Sequence, residues 1–161
     1  VIQQIYPSAT HPFSYELNKD MHFAAAHSIP SAEAGKCAQI HGHTYFANVT
    51  IAGDELDASG FLVNFALIKR LIHDRFDHTY LNDDNEHFHA QSAEYFPTTE
   101  VVARTIYEIT QNHLDQLANK PRCVQVFLRE TPTSYVIYRP KKTEQPLAAT
   151  QIQDKAAAPD A

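Results

Sequence analysis

The stretch Cys37-Ala38-Gln39-Ile40-His41-Gly42-His43 runs directly into Thr44-Tyr45-Phe46-Ala47-Asn48-Val49-Thr50-Ile51, and its reading decides the fold. Tyr45, Ala47, Val49 and Ile51 alternate with Phe46, Asn48 and Thr50, the period-two pattern of a long β-strand with few charges. On such a strand residues two apart point to the same side. His41 and His43 therefore face one point, roughly 6.6–7 Å apart along the strand. Two imidazoles so placed can share one metal ion. Upstream, the strand expected over Phe13–Ala26 ends at His27, a third candidate. Three His with an open fourth position is the pattern of a catalytic zinc, whereas structural zinc is usually closed by four ligands. The pair alone does not establish a metal. The chain holds 10 His in 161 residues, and an alternating pair on a surface strand needs none.

Outward from that strand the pattern alternates between periods. Residues 28–40, with Pro30 and Gly35, read as a loop, and Gly53 to Gly60 as an Asp-rich turn. Asn64 is placed to cap a helix carrying Leu67, Ile68, Leu71 and Ile72 at helical spacing and ending near Phe76. Residues 82–97 are polar and read as a connecting loop. Thr98 or Thr99 caps a second helix with Val101, Val102, Ile106, Ile109, Leu114 and Leu117 on its apolar side. Beyond Pro121, Val124, Val126 and Leu128 alternate with Cys123, Gln125 and Phe127 as a third strand. Ser134 to Arg139 makes a fourth after the turn Thr131-Pro132-Thr133. The order ββααββ predicts an α+β fold, a four-stranded antiparallel sheet with two helices on one face. Residues 1–140 read as a single domain, with residues 1–12 as an arm, and residues 141–161 as a polar, Ala-rich tail.

Composition narrows the function. The formal net charge of −6 argues against an electrostatic nucleic-acid binder. No apolar run approaches the ~18 residues of a membrane span, and no secretory signal is visible. Cys37 and Cys123 are the only cysteines, too few for a disulfide framework, so a reduced, cytoplasmic setting is expected. Cys123, in an apolar strand, reads as a buried core thiol. Cys37 has Lys36 beside it and a metal candidate nearby; a positive neighbourhood favours the thiolate, which makes Cys37 the reactive one.

Two further groups carry chemistry. Glu130 falls on the strand face of Val124, Val126 and Leu128, where a carboxylate is costly to bury without a partner. A strand-end Glu reaching water fits the spacing as well. Asp77 and His78 are adjacent and by themselves read as a helix-terminal pair. His11, His22, His73, His87, His89 and His113 carry weaker signals. His22 points away from His27 on a strand, and the pair His87/His89 sits in a polar loop without rigid support.

Taken together and in order, Phe23–His27, Cys37–His43, Gly60-Phe61-Leu62-Val63-Asn64-Phe65, Phe76-Asp77-His78-Thr79-Tyr80-Leu81-Asn82, Pro97-Thr98-Thr99-Glu100 and Glu130-Thr131-Pro132 resemble the 6-pyruvoyltetrahydropterin synthase family. The match is closest to its 6-carboxytetrahydropterin synthase branch, in queuosine biosynthesis, and spans about Phe13 to Arg139. The resemblance implies the T-fold and assembly through the sheets into a homo-oligomer, often a hexamer. It implies zinc on His27, His41 and His43, and a proton relay of Cys37, Asp77 and His78. A pterin ring would be anchored by Glu130, with Thr98 and Thr99 lining its pocket. The implied reaction converts 7,8-dihydroneopterin triphosphate to 6-carboxy-5,6,7,8-tetrahydropterin, acetaldehyde and triphosphate. Two positions depart from the family pattern: Asn64 replaces the usual Asp, and Val101 stands where Asn is frequent. Three residues separate Cys37 from His41, the short spacing of the carboxy branch. The alternatives are 6-pyruvoyl formation or a related pterin activity at the same site, a zinc- or pterin-binding module without turnover, and a cupin-like iron enzyme. The ββααββ order counts against the last.

Overall fold

A computed structural model describes residues 6–141. The elements run β1 (Tyr15–His27), β2 (His41–Gly53), α1 (Phe65–Phe76), β3 (Thr79–Tyr80), α2 (Thr99–Leu114), β4 (Arg122–Thr131) and β5 (Ser134–Tyr138). Short 3-10 turns stand at Ala32–Ala38, Leu81–Asp83 and Ala93–Tyr95. The sheet order is β3-β1-β2-β4-β5.

The α+β class agrees with the sequence reading, but the sheet is five-stranded and mixed, not four-stranded and antiparallel, and three 3-10 turns stand beside the two α-helices. The extra strand, β3, is two residues long and pairs parallel to β1 at Ala25 and Ala26. So short a strand leaves no alternation to read. It forms because Asp77 and His78 have already joined the edge of β1: Asp77 Oδ1 accepts from Ala24 N at 2.8 Å, and His78 N donates to Ala24 O at 2.6 Å. The 3-10 turns at Ala32–Ala38 and Ala93–Tyr95 lie in segments expected to be loops, and the one at Leu81–Asp83 straddles the start of the second of these. Residues 142–161, all but the first of the expected tail, lie outside the described residues.

The core lies on one sheet face. Phe23, Tyr45, Val49, Ile51, Val126 and Leu128 pack in one cluster with Ile68, Ile72 and Phe76 of α1 and Val102, Ile106 and Leu114 of α2. Burying a side chain of this size contributes about 1.5–3 kcal/mol. Helix starts follow their caps: Asn64 Oδ1 accepts from Ala66 N at 2.9 Å, and Thr98 Oγ1 accepts from Val101 N at 3.3 Å. Each satisfies a backbone donor that the first turn leaves free.

Register decides which strand residues reach that face. β1 and β2 are antiparallel with His27 opposite His41 and Ala25 opposite His43. β4 pairs with β2 through a bulge at Thr50/Ile51, where Thr50 faces Gln125 but Ile51 faces Cys123. The extra residue corrects one expectation. Val124 does not share the face of Val126 and Leu128; Cys123 does, and is 2% exposed. As a core thiol it behaves as expected, with burial pushing its pKa up to about 12.

The opposite face is polar yet largely closed. Thr50 donates to Asn18 Oδ1 at 2.7 Å, Asn48 to Asp20 Oδ1 at 2.8 Å, and Gln125 to Pro7 O at 2.7 Å. The segment around Pro7 thus lies along this face, as an arm would.

Candidate metal and pterin site

The end of β1, the start of β2 and the start of α2 meet at one end of the molecule. The hairpin register carries His27, His41 and His43 to the helix-covered face, where they converge. Ring centroids lie 4.5 Å apart for His27–His41, 5.1 Å for His27–His43 and 4.9 Å for His41–His43. One nitrogen of each lies within 4.8 Å of the others. Cys37 is not in this group. It is exposed, on the 3-10 turn between β1 and β2, and its backbone carbonyl accepts from Ile29 N at 2.9 Å.

The tautomers are set by carbonyls, which can only accept. His27 Nδ1 donates to Pro97 O and His41 Nδ1 to Gln39 O, each at 2.7 Å. In the neutral rings both Nε2 atoms then carry lone pairs, yet they face each other at 3.1 Å. His43 Nε2 is buried with no hydrogen-bond partner. Glu130 Oε1 lies 3.5 Å from His27 Nε2 and 3.7 Å from His43 Nε2. Two lone pairs turned toward each other, beside an unpartnered His43 Nε2 and a carboxylate oxygen, are a repulsive arrangement unless a cation lies among them. Burial, followed by the repulsion of the neighbouring imidazoles, holds the His27 pKa below its ordinary value despite Pro97 and Glu130; burial does the same for His43. Neutral imidazoles are what a metal needs. The residues present therefore fit a metal ion. The Nδ1–H···O=C bonds supply the outer hydrogen bonds that orient metal-binding imidazoles.

Glu130 is half-buried. Thr99 Oγ1 donates to its Oε1 at 2.7 Å. The Tyr45 hydroxyl is fully buried and lies 3.4 Å from His27 Nδ1. Burial and the adjacent negative charge push the Tyr45 pKa up, keeping it a donor. The two threonines thus divide: Thr98 caps α2 and Thr99 reaches Glu130. A cavity of about 510 Å³ opens beside His43 and Glu130, walled by Thr44, Phe46, Arg129 and Thr131.

Asp77 and His78 stand elsewhere on the chain. His78 lines a different cavity, of about 530 Å³, with Arg75, Thr79, Tyr80, Asp83 and Asp84. Its Nδ1 lies 2.7 Å from Asp77 Oδ2, and its side chain is 84% exposed. The hydrogen bond from Ala24 N, then that with His78, holds the Asp77 carboxyl below the usual carboxylate range. His78 has φ 58°, a left-handed conformation that costs a non-glycine residue about 1–2 kcal/mol. The bonds to Ala24 impose it. The described chain therefore unites His27, His41, His43, Glu130 and Thr99, and leaves Cys37 and the Asp77–His78 pair outside the cavity beside them.

Sequence reading missed three contributors. Tyr45 carried a legible signal, since it follows His43 by two on the same face. The carbonyls of Gln39 and Pro97 carried none, because any residue has one.

A sequence model of the 6-pyruvoyl tetrahydropterin synthase family matches residues 16–141. A 6-carboxy-5,6,7,8-tetrahydropterin synthase of Bacillus subtilis is 62% identical over 142 residues, covering 88% of this chain and 97% of the relative. One from Synechocystis is 32% identical over 128 residues, 74% of this chain and 89% of the relative. Among solved structures, 6-pyruvoyl tetrahydropterin synthase of Caenorhabditis elegans superimposes with a TM-score of 0.62 at 25% identity, covering 78% of this chain and 95% of that one.

Proposed function

The chain belongs to the 6-pyruvoyl tetrahydropterin synthase family, and from that premise we propose that it is a 6-carboxy-5,6,7,8-tetrahydropterin synthase. It is a lyase that converts 7,8-dihydroneopterin triphosphate to 6-carboxy-5,6,7,8-tetrahydropterin, acetaldehyde and triphosphate. The observation that carries the reading is the 62% identity to a synthase of that name across 97% of its length.

His27, His41 and His43 would hold the metal, which we take to be zinc because a set of three imidazoles suits it. When bound, zinc supplies Lewis acidity to the hydroxyls of the substrate side chain. Cys37, as thiolate, serves as the base that removes a carbon-bound proton. His78 passes the second proton through Nε2, because Nδ1 is committed to Asp77; Asp77 fixes its tautomer and orientation. Glu130 accepts from the two parallel N–H donors of the pterin pyrimidine edge, and the hydroxyl of Thr99 holds the carboxylate in place for this.

A homo-oligomer, a hexamer by family resemblance, belongs to the same proposal. β5 ends the sheet with one edge unpaired among the described strands, and a second copy of the chain satisfies such an edge. The separation of His78 from the cavity at Glu130 also fits a site completed by a neighbouring copy. No helix among the described residues is long and apolar enough to cross a membrane, and we place the enzyme in the cytoplasm.

The deciding experiment is incubation with 7,8-dihydroneopterin triphosphate. Acetaldehyde released in step with triphosphate is the expected result. Triphosphate release with no acetaldehyde, and three carbons left on the pterin, would move the chain to the pyruvoyl activity.

A further inference from the structure

The free edge of β1 offers three successive backbone groups next to α1, and residues at the end of α1 take all of them. His73 Nδ1 donates to His22 O at 2.9 Å, Ala24 N donates to Asp77 Oδ1 at 2.8 Å, and His78 N donates to Ala24 O at 2.6 Å. The first of these fixes an imidazole that sequence reading passed over. With Nδ1–H committed to a carbonyl, the other ring nitrogen is aimed at Asp77: His73 Nε2 lies 3.5 Å from Oδ2, the same oxygen that His78 Nδ1 meets at 2.7 Å. One carboxylate oxygen therefore stands between two imidazoles.

The chemistry of that contact depends on a proton. In the neutral His73 ring, Nε2 presents a lone pair to a carboxylate. In the imidazolium it presents N–H, and only the second is attractive. Asp77 cannot turn to escape this choice, because its other oxygen is tied to Ala24 N. Other titratable groups stand close by: His22 on β1 faces the His73 ring edge-on at 6.4 Å, and His78 lies behind Asp77. Protonation of His73 draws on the same negative charge that steadies a protonated His78.

We propose that His73 is a positioning residue for the reaction: it holds Asp77 between two imidazoles and makes the Asp77–His78 pair answer to pH as a three-group unit. The inference rests on the reading that Asp77 and His78 move the second proton, and its test separates the two.

The test compares pH–rate profiles of wild type, His73→Phe and His78→Ala, with zinc content measured for each. His73→Phe keeps a flat ring and removes both nitrogens. It is expected to leave zinc content and KM unchanged, and to lower kcat by roughly tenfold, one step below the ~10²-fold scale of losing an acid or base outright. The acid limb of its profile becomes that of a single group. A profile superimposable on wild type, with His78→Ala inactive, overturns the role of His73 alone. Full turnover in His78→Ala overturns the underlying reading of the pair. A second measurement needs no variant at His73. Nitrogen-15 spectra of the histidine rings should show His73 and His78 titrating together in wild type, and apart in Asp77→Asn. Independent titration in wild type, with His73 indifferent to Asp77→Asn, sinks the proposal.

Discussion

Two His-X-His pairs occur in this chain, and the difference between them lies in what stands beneath each. His41-Gly42-His43 begins a 13-residue strand paired on both sides, so both imidazoles point to one face and meet His27 there. His87-Phe88-His89 lies between 3-10 turns, where the fully buried ring of Phe88 sets the orientation and the two imidazoles part. His89 stacks on Tyr95 with centroids 4.2 Å apart. His87 joins Asp84 and Glu86, whose ligand atoms also converge within 4.8 Å. A cation already sits in that convergence. Arg75 Nη2 reaches Glu86 Oε2 at 2.6 Å, His87 Nδ1 at 2.9 Å and Asp84 Oδ1 at 3.1 Å. The lesson is that spacing nominates ligands, but the surrounding charge decides what they hold. Around His27, His41 and His43 the lone pairs face one another; around Asp84 a guanidinium neutralises them.

The sharpest break of this comparison is metal content. His27→Ala, His41→Ala or His43→Ala should each abolish stoichiometric zinc, whereas the double variant His87→Ala/His89→Ala should retain it, as measured by plasma emission on purified protein. Zinc loss in the double variant would erase the distinction. Acid should act in the same direction as the first set. His27 and His43 must be neutral to bind, so zinc is expected to dissociate as pH falls, with proton uptake that calorimetry can register.

Next in size is turnover without metal loss. Cys37→Ala should keep zinc and fold but lose roughly 10²-fold or more in kcat, the usual scale for a missing acid or base. Zinc lost together with activity would instead make Cys37 a ligand. Glu130→Ala should weaken pterin binding by about 2–3 kcal/mol, since the ring loses charge-assisted hydrogen bonds. Unchanged affinity by calorimetry, in folded protein, would remove Glu130 from the ring-binding role.

The smallest effect belongs to the second pair. Arg75→Met should cost about 1 kcal/mol of stability in a denaturant titration, because the network is partly exposed. Burial pushes the Asp84 carboxyl up, but hydrogen bonds from Arg75 and His87 outweigh it and hold it below the usual range. A depressed carboxylate stabilises the fold above the unfolded value of about 3.9, and that contribution is lost as pH falls through the folded value. The variant should therefore lose stability at neutral pH and show a flatter acid limb. An equal stability loss at pH 3 and pH 7 would contradict this.

Much of the fold was open to reading in one dimension. Asn64, Thr98 and the runs after them mark both helices because capping and period act over a few residues. β3 was illegible because two residues have no period, and Val124 was misplaced because a bulge leaves no local mark. At the site, His27, His41 and His43 were legible as a set. The engagement of Thr99 with Glu130 was not, since Thr98 and Thr99 serve equally well as caps on paper.

By itself the sequence determined the strand that presents His41 and His43, the helices that cover it, and the family to which the whole belongs. These follow from short-range periodicity and from motifs kept in order. Only the tertiary structure decided that His27 stands opposite His41, and that the Gln39 and Pro97 carbonyls turn two lone pairs toward each other. It also decided that one oxygen of Asp77 serves both His73 and His78. Each of these depends on register and on backbone groups that every residue carries, so no side-chain pattern records them.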